Sequence, residues 1–265
     1  MATKRSLKVL DRLAEEGRTA FTTAEVRSAL KLSPQATSNL LSRLAVEGLV
    51  DRVAGGRYVL RPIGALGTQA VWDDMGSAVA AAFAGNPHRI GFLTALDHHG
   101  LLTRPVRTVQ VASSYRPRLK TLSGRPLRVV HEKTATVMVA TERLGPSWVA
   151  TVERALLDVA GHPQLSGGDA GLAEALAAVR TTSGLAELAQ RLDAIPAHRR
   201  VGSISTALSL SVGRNLQPPP WYSLIELAPR ESHVDGWIDK LWGVSWPYPA
   251  SELAAVAEQR FPREP

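Results

Sequence analysis

Gln35, Ser38, Asn39, Ser42 and Arg43 recur three and four residues apart, so on a helix they share one face. They are short amide and hydroxyl groups with one guanidinium beside them. Such groups donate and accept hydrogen bonds at close range, which is the chemistry of reading base edges rather than of breaking bonds. Arg52, Arg57 and Tyr58 follow around a glycine turn, where two cations and a ring could touch phosphate.

The elements that must position these residues are legible nearby. Residues 22–30 (TTAEVRSAL) read as a helix, KLSP as a break, and residues 35–48 (QATSNLLSRLAVEG) as a second helix. Ser33 before Pro34 is a helix start, a hydroxyl cap followed by a ring whose fixed φ suits the first turn. Ala36, Leu40, Leu41 and Leu44 form the apolar stripe opposite the polar face, expected to pack on Leu7, Leu10, Leu13, Val26 and Leu30. LVDRV and RYVLR, joined through Ala54-Gly55-Gly56, read as a hairpin, with Arg61 as a third flanking cation. The order helix, turn, helix, hairpin is that of a winged helix-turn-helix, which points to double-stranded DNA. Such modules also dock proteins. Charge separates the two readings: residues 1–64 hold eleven Lys/Arg and six Asp/Glu, a net +5 of the chain's +7. Concentrated positive charge favours phosphate.

Elsewhere catalytic chemistry is hard to assemble. The chain has no Gly-rich phosphate loop, no nucleophile elbow and no paired-histidine zinc motif, so no cofactor and no metal is expected. There are no cysteines, hence no disulfide or thiolate chemistry. His98-His99 beside Asp97 is the single histidine cluster, but adjacent helical residues point about 100° apart and chelate poorly. Asp73-Asp74 has no partner at a useful spacing. Arg154 and Asp158 are four apart and read as a structural ion pair. Residues 104–133 carry Arg104, Arg107, Arg116, Arg118, Lys120, Arg125, Arg128 and Lys133 against a single acid, Glu132. They read either as a solvated sheet face or as a second basic surface for nucleic acid or an acidic partner.

At 265 residues the chain fits two domains, a winged helix over 1–64 and a larger domain over 65–265. In the larger one, residues 65–86 and 88–100 read as helices. Residues 108–114, 126–133 and 136–144 read as antiparallel strands, and 147–161 as a strand running into a helix. Helices follow over 168–193 and 199–213. From about 217 comes a proline run, a tryptophan-rich tail and a last helix at 250–260. The fold class expected is α+β, with a mainly antiparallel sheet in the larger domain. No leader and no stretch near ~20 apolar residues is present, so a cytoplasmic protein without membrane contact is expected.

Four segments together resemble the AbiEi antitoxins of type IV toxin–antitoxin systems, including their actinobacterial members. These are the N-terminal module ending in GGRYVLRP, FLTALDHHGL at 92–101, WVATVERALLDVAGHPQLSGG at 148–168 and RRVGSIS at 199–205. The tryptophan-containing tail extends the likeness over nearly the whole chain. Val201-Gly202 departs from the leucine-glycine of that family's arginine-led helix. The resemblance implies a non-enzymatic repressor that binds an inverted-repeat operator of its own operon. It also implies an antitoxin against an AbiEii-like nucleotidyltransferase toxin, without requiring that the two touch. A ligand-responsive winged-helix regulator with no toxin, its pocket lined by the late tryptophans, is the alternative reading. A DNA-tethered enzyme is the third, and no catalytic constellation supports it.

Overall fold

A computed structural model describes residues 4–16, 20–54, 56–60, 75–83, 85–122, 125–165, 168–227 and 236–260. The chain is mixed α+β and divides into two compact units. One comprises residues 1–89, 107–137 and 143–148; the other comprises 90–106, 138–142 and 149–265.

The first unit begins with α1 (Lys4–Glu15), β1 (Ala20–Thr22), α2 (Thr23–Leu30), α3 (Pro34–Val46), β2 (Val50–Ala54) and β3 (Arg57–Leu60). The strands form an antiparallel sheet of order β1-β3-β2. Capping starts the helices where the sequence calls for it. Thr22 and Glu25 form a reciprocal capping box on α2, and Ser33 accepts from the Ala36 amide at 3.2 Å ahead of Pro34. Lys31, at φ 52°, ends α2 in the left-handed region and makes the tight turn to α3. The core is Leu13, Phe21, Val26, Leu40, Leu41, Leu44, Val50 and Tyr58, with Leu10 and Leu30 packed at its margin. The expected stripe is therefore buried, except that Ala36 is half-buried and Thr37 is enclosed, its hydroxyl donating to the Ser33 carbonyl at 2.9 Å.

The same unit continues with α4 (Met75–Phe83), which packs on β1, β2 and β3, and with β4 (His88–Ile90). Residue 64, the expected domain boundary, lies outside the described residues, as do Arg61 and Asp73-Asp74. Then come β5 (Val109–Ser113), β6 (Thr121–Leu122) and β7 (Arg125–His131). Arg89 is fully buried, donating to Glu132 at 2.6 Å and to the Val137 carbonyl at 2.9 Å. His88 is buried as well. Its Nδ1 faces the Asn86 carbonyl at 2.8 Å and its Nε2 the Ser147 hydroxyl at 2.9 Å, which suits the neutral ring with its proton on Nδ1.

The sequence-based elements of this region need three corrections. Residues 88–90 are a strand, and the helix α5 starts only at Phe92 and runs to His98. Residues 134–137 are a short helix, α6, followed by β8 (Thr141–Leu144), not one strand over 136–144. The larger sheet, of order β6-β7-β5-β4-β9-β8 with β9 at Ser147–Ala150, is mixed rather than mainly antiparallel: β5 runs parallel to β7 and β4 parallel to β9. The alternation in TVQVASS misled because Gln110 and Ala112, on the face opposite Val109 and Val111, are buried as well. Strands covered on both faces are what a parallel arrangement needs.

In the second unit α5 precedes α7 (Val152–Gly161), α8 (Asp169–Ala178), α9 (Leu185–Arg191) and α10 (Ile195–Ala207). Arg154 and Asp158 make the expected ion pair at 2.9 Å, with both side chains buried. After a short 3-10 helix, the tail folds as a three-stranded sheet of β10 (Ile225–Glu226), β11 (Trp237–Asp239) and β12 (Val244–Trp246), then α11 (Ala250–Arg260).

RRVGSIS in α10 is the seat of that tail. Arg199 donates to the carbonyls of Trp242 at 2.7 Å, Ser223 at 2.8 Å and Gly243. Arg200 donates to Glu226 O at 2.7 Å and Ala160 O at 3.0 Å. Ser203 donates to Asp239 at 2.6 Å and accepts from the Trp246 indole at 2.8 Å. Gly202 has no room for a side chain because the Trp242 ring lies against its Cα. Trp242 and Trp246 are 1% and 0% exposed, so they fill the core and do not line an open ligand pocket.

Gly202→Ala drives a methyl into the Trp242 ring, and overpacking of this kind costs about 1–3 kcal/mol. Thermal unfolding checks it, with an expected fall of roughly 2–4 °C per kcal/mol. A second expectation concerns pH. Burial lowers the pKa of His88 and of His198 below 6.5. Above that value both rings are neutral, folded or unfolded. As pH falls below it, the unfolded chain takes up protons first, so stability drops. Urea unfolding at pH 5.5 is expected to show a lower midpoint than at pH 7.5.

Candidate nucleic-acid interface

The two faces of α3 are set by its packing. With Thr37, Leu40, Leu41 and Leu44 buried, Gln35, Ser38, Asn39, Ser42 and Arg43 are all exposed. Gln35, Asn39 and Arg43 form one i, i+4, i+8 ridge, and the Gln35 amide donates to Asn39 Oδ1 at 3.1 Å. Ser38 and Ser42 form the neighbouring ridge, which ends at Val46. Sequence reasoning missed Val46; it is 89% exposed and continues the polar face by one turn. Its position four residues after Ser42 was the available signal.

The hairpin is fixed to the start of α2. The carbonyl of Gly56, in the left-handed region at φ 72°, accepts from the Thr23 amide at 2.7 Å and the Thr23 hydroxyl at 3.1 Å. β2 shifts register between Arg52 and Ala54, a bulge next to the turn. Arg52 is exposed and Arg57 half-buried. Tyr58, expected to make a wing contact, is instead 6% exposed and stacks on Phe21 with ring centroids 5.8 Å apart. The ring belongs to the core with Phe21, Leu41 and Val50, and its neighbour Val59, on the opposite face of β3, is buried as well.

The basic stretch is spread out. Arg104, Arg107, Arg116, Arg118, Lys120 and Arg128 are exposed, while Arg125 is half-buried with its Nε donating to the Arg107 carbonyl at 3.3 Å. On β7, Arg125 and Arg128 point to opposite faces because three residues separate them. Glu132, the acid of the stretch, is held by Arg89. Exposure suits a solvated surface and a phosphate-binding one equally.

Among the described residues no group of three or more His, Asp or Glu could hold a metal ion. The His98-His99 cluster is helix-end packing. His99 Nε2 donates to the Ala150 carbonyl at 2.7 Å, the two rings meet edge to face, and Asp97 accepts from the Val106 amide at 2.9 Å. No described helix is long and apolar enough to cross a membrane. An open cleft of about 500 Å³ is bounded by α1 and α2, with Leu13, Phe21, Val26 and Leu30 among its lining residues and Lys8 and Arg12 at α1.

Because the Tyr58 ring is core, Tyr58→Ala is expected to cost roughly 3–5 kcal/mol of stability, as for other large buried rings. Chemical denaturation of the two proteins measures it.

No protein-family model matches the chain, and no curated protein matches it. Among solved structures the chain is similar to the RV2827C protein from Mycobacterium tuberculosis, at 15% identity and a TM-score of 0.64, over 98% of this chain and 95% of that one. At that identity the likeness extends to the fold, an α+β chain of similar length.

Proposed function

We propose that this protein is a non-enzymatic, DNA-binding transcriptional repressor whose N-terminal module is a winged helix-turn-helix. The observation that carries the reading is the exposed face of α3, whose polar groups stand out from a buried leucine stripe with Arg43 at its edge. A helix of this width fits the major groove. Arg52 and Arg57, on a hairpin tied to α2, would meet phosphate. The net +5 of residues 1–64 supplies the long-range attraction.

The target proposed is an inverted repeat upstream of the protein's own operon. The second role proposed, antitoxin to a nucleotidyltransferase-type toxin in the cytoplasm, rests on the AbiEi resemblance alone. A ligand-responsive regulator without a toxin is the competing reading, and the α1–α2 cleft favours it because its volume lies in the range of small-molecule sites. Co-expression separates the two: an antitoxin restores growth to cells carrying the neighbouring toxin gene, and a ligand-responsive regulator does not.

The DNA reading is tested by a salt-titrated binding assay of the full chain on its upstream duplex. Arg43→Ala combined with Arg57→Ala is expected to weaken binding strongly. It should also flatten the salt dependence by about 0.9 in log–log slope for each phosphate contact removed. Unchanged affinity would remove this face from the interface.

A further inference from the structure

We infer that Asn39 is the base-reading residue of α3, that the base it reads is adenine, and that Gln35 acts as its positioning residue. The inference rests on the DNA-binding reading above and adds to it a sequence preference.

The argument starts from where Asn39 stands. It is the middle member of the Gln35–Asn39–Arg43 ridge, exposed, with Ser38 and Ser42 beside it. Both serines stand on one side of it and are short, and Ala36 on the other side carries only a methyl, so no bulky side chain there holds a flat base edge away from the Asn39 amide. A carboxamide carries one donor end and one acceptor end. Free in solvent, it can turn over and present either order. Here the Gln35 Nε2 donates to Asn39 Oδ1 at 3.1 Å, which favours the orientation with the oxygen on the Gln35 side and the nitrogen away from it. Asn39 keeps a second lone pair on Oδ1 and both N–H groups of Nδ2 for a partner.

An acceptor beside a donor, at carboxamide spacing, complements the major-groove edge of adenine: N6–H donates to Oδ1 and N7 accepts from Nδ2. Guanine presents O6 and N7, two acceptors. Its O6 would oppose Asn39 Oδ1, so the same amide orientation that accepts adenine disfavours guanine. Cytosine offers one donor and thymine one acceptor, each making half the contact. Gln35 touches no base in this scheme. It acts through Asn39, by favouring one amide orientation before the duplex arrives.

The test uses the full chain and a library of duplexes with a randomised centre, in three steps. The first is selection of bound duplexes by wild-type protein, with an adenine expected at one invariant position. The second replaces that adenine by 7-deazaadenine, which lacks only the N7 acceptor; wild-type affinity is expected to fall about tenfold. The third repeats the replacement in Asn39→Ala, where it should have almost no further effect, because the coupled partner is gone. For Gln35, the readout is selectivity: Gln35→Ala should narrow the adenine-over-guanine ratio by about twofold, while Asn39→Ala abolishes it. Both residues are exposed, so thermal melting should match wild type and set misfolding aside.

Enriched duplexes whose 7-deazaadenine penalty persists undiminished in Asn39→Ala would overturn the inference and leave DNA binding standing. So would selection of sites without an adenine. A Gln35→Ala variant with undiminished adenine selectivity would remove the positioning role. Failure to enrich any duplex, even at low salt, would remove the DNA-binding reading itself, and the inference with it.

Discussion

A thirteen-residue helix has one side to bury, and in α3 that side is fixed by Leu40, Leu41 and Leu44. Everything proposed for the other side depends on this. Rotate the helix by one residue and the amide ridge turns toward the core while a leucine turns toward water. Burying a large aliphatic side chain contributes roughly 1.5–3 kcal/mol, so three of them hold the rotation against any exposed contact. The polar face is therefore not itself stabilised by packing. It is displayed as a consequence of packing elsewhere, which leaves its residues free to be chosen for what they touch.

The second unit solves a different problem. Its tail has short strands and long irregular stretches, and carbonyls there need donors once water is excluded. Arg199 supplies several N–H groups from one side chain, and its donors reach carbonyls at 223, 242 and 243. Arg200, next to it, does the same for the Glu226 carbonyl, Ser203 donates to the Asp239 carboxylate, and the absence of a side chain at 202 lets the Trp242 ring approach. A short helical motif thus serves a segment twenty to forty residues away. Arg154 and Asp158 show the same economy within one helix: a buried cation with its carboxylate one turn along, leaving Nη1 for the Val139 carbonyl.

What the sequence made legible follows from range. The cap at Ser33, the stripe on α3 and the 154–158 pair are local patterns, and each was readable from neighbours within four residues. The failures are tertiary. Whether 109–113 pairs parallel or antiparallel depends on what covers its two faces, and the polar Gln110 gave the wrong signal because what buries it lies elsewhere in the chain. Three residues at 88–90 are too few for a strand period to register beside a helix. The five α3 residues stand exposed on one face, as their period alone indicated. Tyr58 was misread, because an aromatic beside two arginines looks like a contact residue until Phe21, distant in sequence, is seen stacked on it.

One tie has a mechanical meaning. The hairpin tip is bonded through Gly56 to the first residue of α2, twice, and α2 is joined to α3 by a single tight turn. Helix and hairpin are therefore linked through α2 like the arms of a caliper. A caliper that keeps its gap does not adjust to its object. If such an element meets a duplex, the change in groove width falls on the nucleic acid, and the energy of making it depends on how easily each base step deforms. Positions that no side chain reaches would then influence affinity through stiffness alone.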